Sequence, residues 1–195
     1  MSKERRAVKK RETYETKIEV EINLDGKGQG DIDSGLKFFD HMLAQLAKHG
    51  GFDLMVKANG DLEIDEHHTV EDIGITLGQA FNEAIGDKQG IARFADSHTP
   101  LDETLVRTAV DISGRTYLYA DFVFSREMVG DFPSELVWEF LKSFVNNAKI
   151  TLHMDLIRGT NCHHQIEAVF KSLAVTLKRA VEVVSDRMPS TKGKL

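Results

Sequence analysis

The chain of 195 residues contains one cysteine, Cys162, so it can close no internal disulfide and a reducing, cytoplasmic setting is expected. No apolar run reaches the roughly 18 residues of a membrane span. The charged first residues have no apolar segment behind them, so no secretory signal is read there. An excess of positive charge is missing too. Asp and Glu outnumber Lys and Arg by 31 to 25, and the formal net charge of −6 argues against nucleic acid or an anionic membrane as the main partner. Low-complexity segments are absent. What is present is 41% hydrophobic and 29% charged residues, the composition of a soluble globule with room for one substantial domain or two fused small ones. A small anionic substrate stays compatible wherever Lys and Arg gather locally.

Residues 1–12 are mostly charged and are expected to fray. Residues 13–24 alternate apolar and polar through Ile18, Val20, Ile22 and Leu24, which is strand periodicity. Asp25-Gly26-Lys27-Gly28 is a hairpin signal leading to a second strand over 28–33. Ser34 is placed to cap a helix over 35–49, closed by Gly50-Gly51. Its stripe is Leu36, Phe39, Leu43, Leu46 and Ala47, with His41 and Gln45 on the other face. Strands follow at 52–57 and 62–65, then a helix over 67–85. The order then repeats. Strands at 103–112 and 115–124 are expected to pair around Ser113-Gly114. A helix over 134–148, a strand over 149–157 and a helix over 162–185 complete the chain. The last helix carries a stripe of Ile166, Phe170, Leu173, Leu177, Val181 and Val184. The fold class is therefore α+β, an internal duplication of a strand–strand–helix–strand–helix unit with sheets packed on helices. Residues 1–90 form the first half and 91–195 the second half of one compact domain, with 86–102 as the joint.

Two pentads, His67-His68-Thr69-Val70-Glu71 and His163-His164-Gln165-Ile166-Glu167, begin 96 residues apart, each at the start of a predicted helix. On a helix, positions i and i+4 share a face, so each Glu can join a histidine of its pentad on one metal ion. Adjacent histidines diverge by about 100° and do not easily serve the same ion, so each pentad should feed two. Imidazoles mixed with carboxylates suit manganese, iron or zinc in an octahedral setting, and the lack of thiolates argues against structural zinc. His41 precedes His67 by 26 residues and Glu139 precedes His163 by 24, both in aromatic surroundings. They are read as equivalent positions that complete the ligand set. Arg93 and Arg115 follow glycine turns, and each offers either a bidentate phosphate clamp or a solvated turn residue. Lys171 can reach an anion beside the metals or snorkel. Glu15 is either an exposed strand residue or a site acid/base. His49, His98 and His153 are read as structural, and Cys162 as a small buried residue. From the residues alone, a dinuclear phosphohydrolase or an assembly held by metal also accommodates this set.

At these positions the sequence resembles imidazoleglycerol-phosphate dehydratase, the lyase of histidine biosynthesis. The matching stretches are Phe39-Asp40-His41-Met42-Leu43, Asp65 to Ile75 around the first pentad, and Gly90-Ile91-Ala92-Arg93-Phe94. They continue with Leu101-Asp102-Glu103, Asp111-Ile112-Ser113-Gly114-Arg115, Gly159 to Ala168 around the second pentad, Phe170-Lys171 and Ser190-Thr191-Lys192-Gly193. The resemblance spans nearly all of 5–193. It implies a duplicated fold of the ribosomal-S5-domain-2-like type, trimers assembled into a 24-subunit shell, and active sites between subunits with two Mn²⁺ ions each. By position it implies His41, His67, His68, Glu71, Glu139, His163, His164 and Glu167 as metal ligands. Arg93, Arg115, Lys171, Ser190 and Lys192 would hold the substrate phosphate. Glu15, Gln45 and His41 would lie at the substrate, with Glu15 as acid/base. The implied reaction dehydrates D-erythro-imidazoleglycerol phosphate to imidazole-acetol phosphate through an imidazolate stabilised by the two ions. Position 139 is Glu where plant and fungal members carry His.

Overall fold

The computed structural model describes residues 4–195. Its first half runs β1 (Arg6–Glu12), β2 (Thr16–Asn23), β3 (Gly30–Asp33), α1 (Lys37–Gly50), β4 (Asp53–Gly60) and α2 (His67–Ile85). The second runs β5 (Phe94–Leu101), β6 (Thr104–Asp111), β7 (Tyr117–Asp121), the short β8 (Met128–Val129) and β9 (Phe132–Pro133), α3 (Leu136–Ala148), β10 (Thr151–Arg158) and α4 (Cys162–Val181). The two main sheets have the same topology, with strand order β1-β2-β4-β3 in one and β5-β6-β10-β7 in the other. In each, the first three strands pair antiparallel and the edge strand lies parallel to its neighbour. A parallel neighbour cannot be reached by a tight turn, so a helix (α1 or α3) makes each crossover.

Four expectations about strands differ from the structure. The charged start is β1 from Arg6 onward, while residues 1–3 lie outside the described residues. Only Ala7 of this strand is buried, and ion pairs such as Lys10–Glu19 (3.0 Å) tie it to β2 across the sheet surface. The turn at Asp25-Gly26 does not close a hairpin, because β3 pairs with β4 and not with β2. Likewise β6 and β7 are not partners: β6 pairs with β5, which occupies the expected joint, and β7 lies beside β10. The repeating unit thus has three strands before its first helix. Residues 62–65 form a turn and not a strand.

Each sheet buries one face under its own two helices, and the helix layers meet, α1 against α4 and α2 against α3. Their apolar stripes supply the core, with Phe39, Phe81, Phe140, Phe144 and Phe170 joined ring to ring at 5.3–6.3 Å. Val184 is exposed because α4 ends at Val181. The α2–α3 contact is backbone on backbone. A Cβ at Gly74 would lie 2.9 Å from the Phe140 carbonyl oxygen, and one at Gly78 2.5 Å from that of Phe144, so no side chain fits between the helices there. Among the described residues no helix is long and apolar enough to cross a membrane.

Candidate metal centre

Three of the four helices carrying predicted ligands, α1, α2 and α4, have a first-turn amide held by a side chain. Asn161 Oδ1 accepts from the backbone amides of His163 (3.0 Å) and His164 (3.4 Å), an N-cap that sets the start of α4. Asp65 Oδ1 accepts from His67 N at 2.8 Å at the start of α2. At α1 the expected Ser34 cap is not made. Ser34 is buried and donates through N (2.7 Å) and Oγ (2.6 Å) to Asp40 Oδ1. The open amides of Lys37 and Phe38 donate instead to Asp131, at 2.9 and 3.3 Å. Asp131 sits between β8 and β9, so the second half orients the helix that carries His41.

Six of the eight predicted ligands gather in two groups of three, and each group draws on both halves. His67 and Glu71 of α2 meet Glu139 of α3. His163 and Glu167 of α4 meet His41 of α1. Within each group the donor atoms lie within 4.8 Å of one another. Ligands on opposite sides of an ion with bonds of about 2.0–2.2 Å stand roughly 4.4 Å apart, so both groups fit a divalent cation. His41 Nε2 and His163 Nε2 both donate to Glu167 Oε2, at 3.2 and 3.0 Å, and Lys171 Nζ holds Oε1 at 2.5 Å. Burial pushes the Glu167 carboxyl up, but the hydrogen bonds from Lys171, His163 and His41 outweigh it and bring the pKa to about 2. Lys142 Nζ stands in the same way on Glu139, at 3.2 and 3.3 Å. The adjacent histidines diverge as helix geometry requires, with ring planes at 84° for His67–His68 and 80° for His163–His164. Gln45 lies beside the second group, 3.4 Å from His41 Nδ1, and bonds His49 at 3.2 Å.

A cleft of about 450 Å³ adjoins the first group, lined by His67, Glu139, Trp138, Phe122 and Phe124 among others. That volume suits a small molecule. A larger cleft, about 540 Å³, lies by the C-terminal ends of α1 and α4 and contains none of the predicted metal ligands.

The imidazoleglycerol-phosphate dehydratase family model matches residues 34–177. The chain belongs to this family. It is 52% identical over 195 residues to the imidazoleglycerol-phosphate dehydratase of Chromohalobacter salexigens, covering 98% of this chain and 99% of that one. It is 55% identical over 191 residues to that of Thermoanaerobacter pseudethanolicus, covering 97% and 98%. The crystal structure of the Staphylococcus aureus imidazoleglycerol-phosphate dehydratase superposes with a TM-score of 0.83 at 42% identity, over 91% of this chain and 99% of that chain.

The other predicted residues are spread out. Arg93, held at φ +70°, pairs with Asp111 through Nε (2.7 Å) and Nη2 (3.2 Å) and donates through Nη1 to Pro189 O at 2.7 Å. Arg115 is exposed, with Nη2 3.7 Å from the same Asp111. The tail bearing Ser190 and Lys192 folds back through Gly90 and Val184, and Ser190 Oγ accepts from Lys192 N at 3.2 Å. Arg93, Arg115 and the tail therefore share one corner, and Lys171 is elsewhere, on Glu167. Glu15 lies in the β1–β2 turn and not in a strand, with Oε1 3.9 Å from His68 Nε2. His68 and His164 belong to neither group of three. Each is held by a carboxylate to which the spacing assigned no role, Asp61 for His68 and Glu103 for His164. Asp61 sits immediately before the short strand expected at 62–65. Glu103 belongs to a matching stretch, Leu101-Asp102-Glu103, which was the available signal.

Proposed function

We propose that the chain dehydrates imidazoleglycerol phosphate to imidazole-acetol phosphate in histidine biosynthesis, with two Mn²⁺ ions per site. The observation that carries this reading is the pair of histidine–carboxylate groups, built by crossing the two halves, in a chain of this family. His67, Glu71 and Glu139 would hold one ion, and His41, His163 and Glu167 the other. His68 and His164 add two more imidazoles. Bound divalent ions would supply Lewis acidity toward the imidazole ring of the substrate. Glu15, exposed on its turn, is the carboxylate free to move a proton at the carbon beside that ring. The corner of Arg93, Arg115 and the tail would take the phosphate. Arg93 keeps N–H groups beyond those given to Asp111 and Pro189, and Arg115 is largely free.

One chain does not bring these pieces to a single substrate. Arg93 N donates to Ala180 O at the far end of α4 from His163. Those 17 residues of helix span about 25 Å. The ring-to-phosphorus distance of the substrate is roughly 7 Å at ordinary bond lengths, and an extended arginine reaches roughly as far again. The phosphate corner of one copy thus serves a metal group of another, and we propose assembly into trimers and a 24-subunit shell. Purified protein, stripped of metal and reloaded with Mn²⁺, should form the ketone product from imidazoleglycerol phosphate, and its mass should report an assembly. Full activity after complete removal of divalent metal refutes the metal role. A monomer with full activity refutes the assembly.

A further inference from the structure

His68 and His164 stand apart from the three-donor groups, and each is gripped at the same ring nitrogen. His68 Nδ1 donates to Asp61 Oδ2 at 3.0 Å, and His164 Nδ1 donates to Glu103 Oε2 at 2.9 Å. The two carboxylates come from different places. Asp61 follows β4, whereas Glu103 lies in the β5–β6 turn, whose counterpart in the first half carries Glu15. The halves thus reach one histidine arrangement by separate routes. An ionised carboxylate only accepts, so each Nδ1 carries the proton of the neutral ring and each Nε2 keeps its lone pair. Both carboxylates are themselves anchored or sheltered. Glu103 Oε1 accepts from Thr160 N (3.1 Å), Asn161 N (2.9 Å) and Thr104 Oγ1 (3.1 Å), which leaves Oε2 aimed at His164. Asp61 Oδ1 is buried without a partner, so the hydrogen bonding of this side chain is spent on His68.

We propose that Asp61 and Glu103 are positioning residues that lock His68 and His164 as Nδ1–H tautomers and present Nε2 of each ring to a divalent cation. This rests on the metal reading given above. Outer carboxylates of this kind orient a ligating imidazole and raise its basicity, and losing one weakens metal binding by about 10–100-fold.

Glu103→Gln separates this role from a structural one. Its carbonyl oxygen can stay with the two backbone amides, which keeps the loop, while its NH₂ faces His164 Nδ1. That arrangement favours the Nε2–H tautomer and blocks the ligating nitrogen. In the full-length assembly, stripped and reloaded, electron paramagnetic resonance should show Mn²⁺ binding weakened about 10–100-fold. The metal-free variant should still fold, with the circular dichroism spectrum of wild type. Asp61→Ala should weaken Mn²⁺ binding in the same range. Unchanged Mn²⁺ affinity in Glu103→Gln overturns the inference. Nitrogen-15 spectra of histidine-labelled, metal-free wild type, recorded at a pH where both rings are neutral, test it without any variant: Nδ1–H is expected at His68 and His164, and a neutral ring protonated at Nε2 in either one overturns it. A wild-type assembly that takes up no Mn²⁺ overturns the metal reading and the cation clause here, while the spectra still report the tautomers.

Discussion

Gly78→Ala tests whether backbone contact between α2 and α3 holds the first metal group together. The added Cβ would stand 2.5 Å from the Phe144 carbonyl oxygen, 2.8 Å from Asn147 Cβ and 2.9 Å from Ala148 N. A carbon meets a carbonyl oxygen at about 3.3–3.6 Å, so the helices must part by roughly 0.8–1 Å. The obstacle is helix backbone, which cannot rotate aside as a side chain would. Overpacking of this kind costs about 1–3 kcal/mol, and the contact at Gly78 belongs at the upper end. Against this, Ala gains about 1 kcal/mol over Gly in helix propensity. The net expectation is a loss of about 2 kcal/mol, which lowers Tm by roughly 4–8 °C in a chain of this size. Gly74→Ala, whose closest contact is 2.9 Å, should lose less. Both variants should also bind Mn²⁺ more weakly, because His67 and Glu71 move away from Glu139. Thermal unfolding of the metal-free protein and Mn²⁺ titration are the two measurements. A Gly78→Ala protein that melts at or above wild type, as propensity alone demands, refutes the account of the helix contact.

Three further outcomes are expected. His67→Ala should lose metal content and turnover together, and unchanged metal by elemental analysis would remove His67 from the ligand set. Asn161→Ala deletes the cap of α4 and should cost about 1 kcal/mol in denaturant unfolding; Mn²⁺ affinity should fall with it, because His163 and His164 are the residues whose amides are capped. Glu167 has a folded pKa of about 2 against an ordinary 4.5, so its ionised form adds stability that is complete above about pH 4.5 and lost as pH falls toward 2. Metal-free wild type should therefore lose on the order of 3 kcal/mol over that window relative to Glu167→Gln, and parallel acid profiles for the two would contradict the hydrogen-bond account of this carboxyl.

The helices were legible because their signals are local. The stripe from Phe39 to Ala47, the Asn161 cap and the start of α2 at His67 can each be read within a few residues of chain. Strand partners could not be read this way. β1 shows charges on both sides of Ala7, and β5 buries only Ser97, so neither displays the alternation that marks a half-buried strand. The turns after β2 and β6 resemble hairpin closures, yet the chain passes on to a parallel edge. That choice is made by packing α1 and α3 across the sheets. The histidines and carboxylates of the two groups were visible as spacing across the repeat. Their crossing was not: His41 joins the second pentad and Glu139 the first, which depends on α1 meeting α4 and α2 meeting α3. Glu103 and Asp131 were missed as partners because each acts on an element remote from it in sequence; Asp61 stands only seven residues before His68, and it was missed because the turn that brings the two together was read as a strand.

The crossing of ligands between halves has a consequence for how the chain can be cut. Residues up to the end of α2 contain His41, His67 and Glu71 but neither Glu139 nor the second pentad, and the remainder has the reverse lack. Neither fragment alone owns a complete three-donor group. Expressed as two separate polypeptides, they would recover both groups only on docking, so cation uptake would report their reunion. A single-repeat forerunner bearing one helix ligand and one pentad faces the same arithmetic. Two copies facing each other across a twofold axis would hold two ions, and one copy would hold none. Fusion of the repeats then turns a meeting of two molecules into a fold.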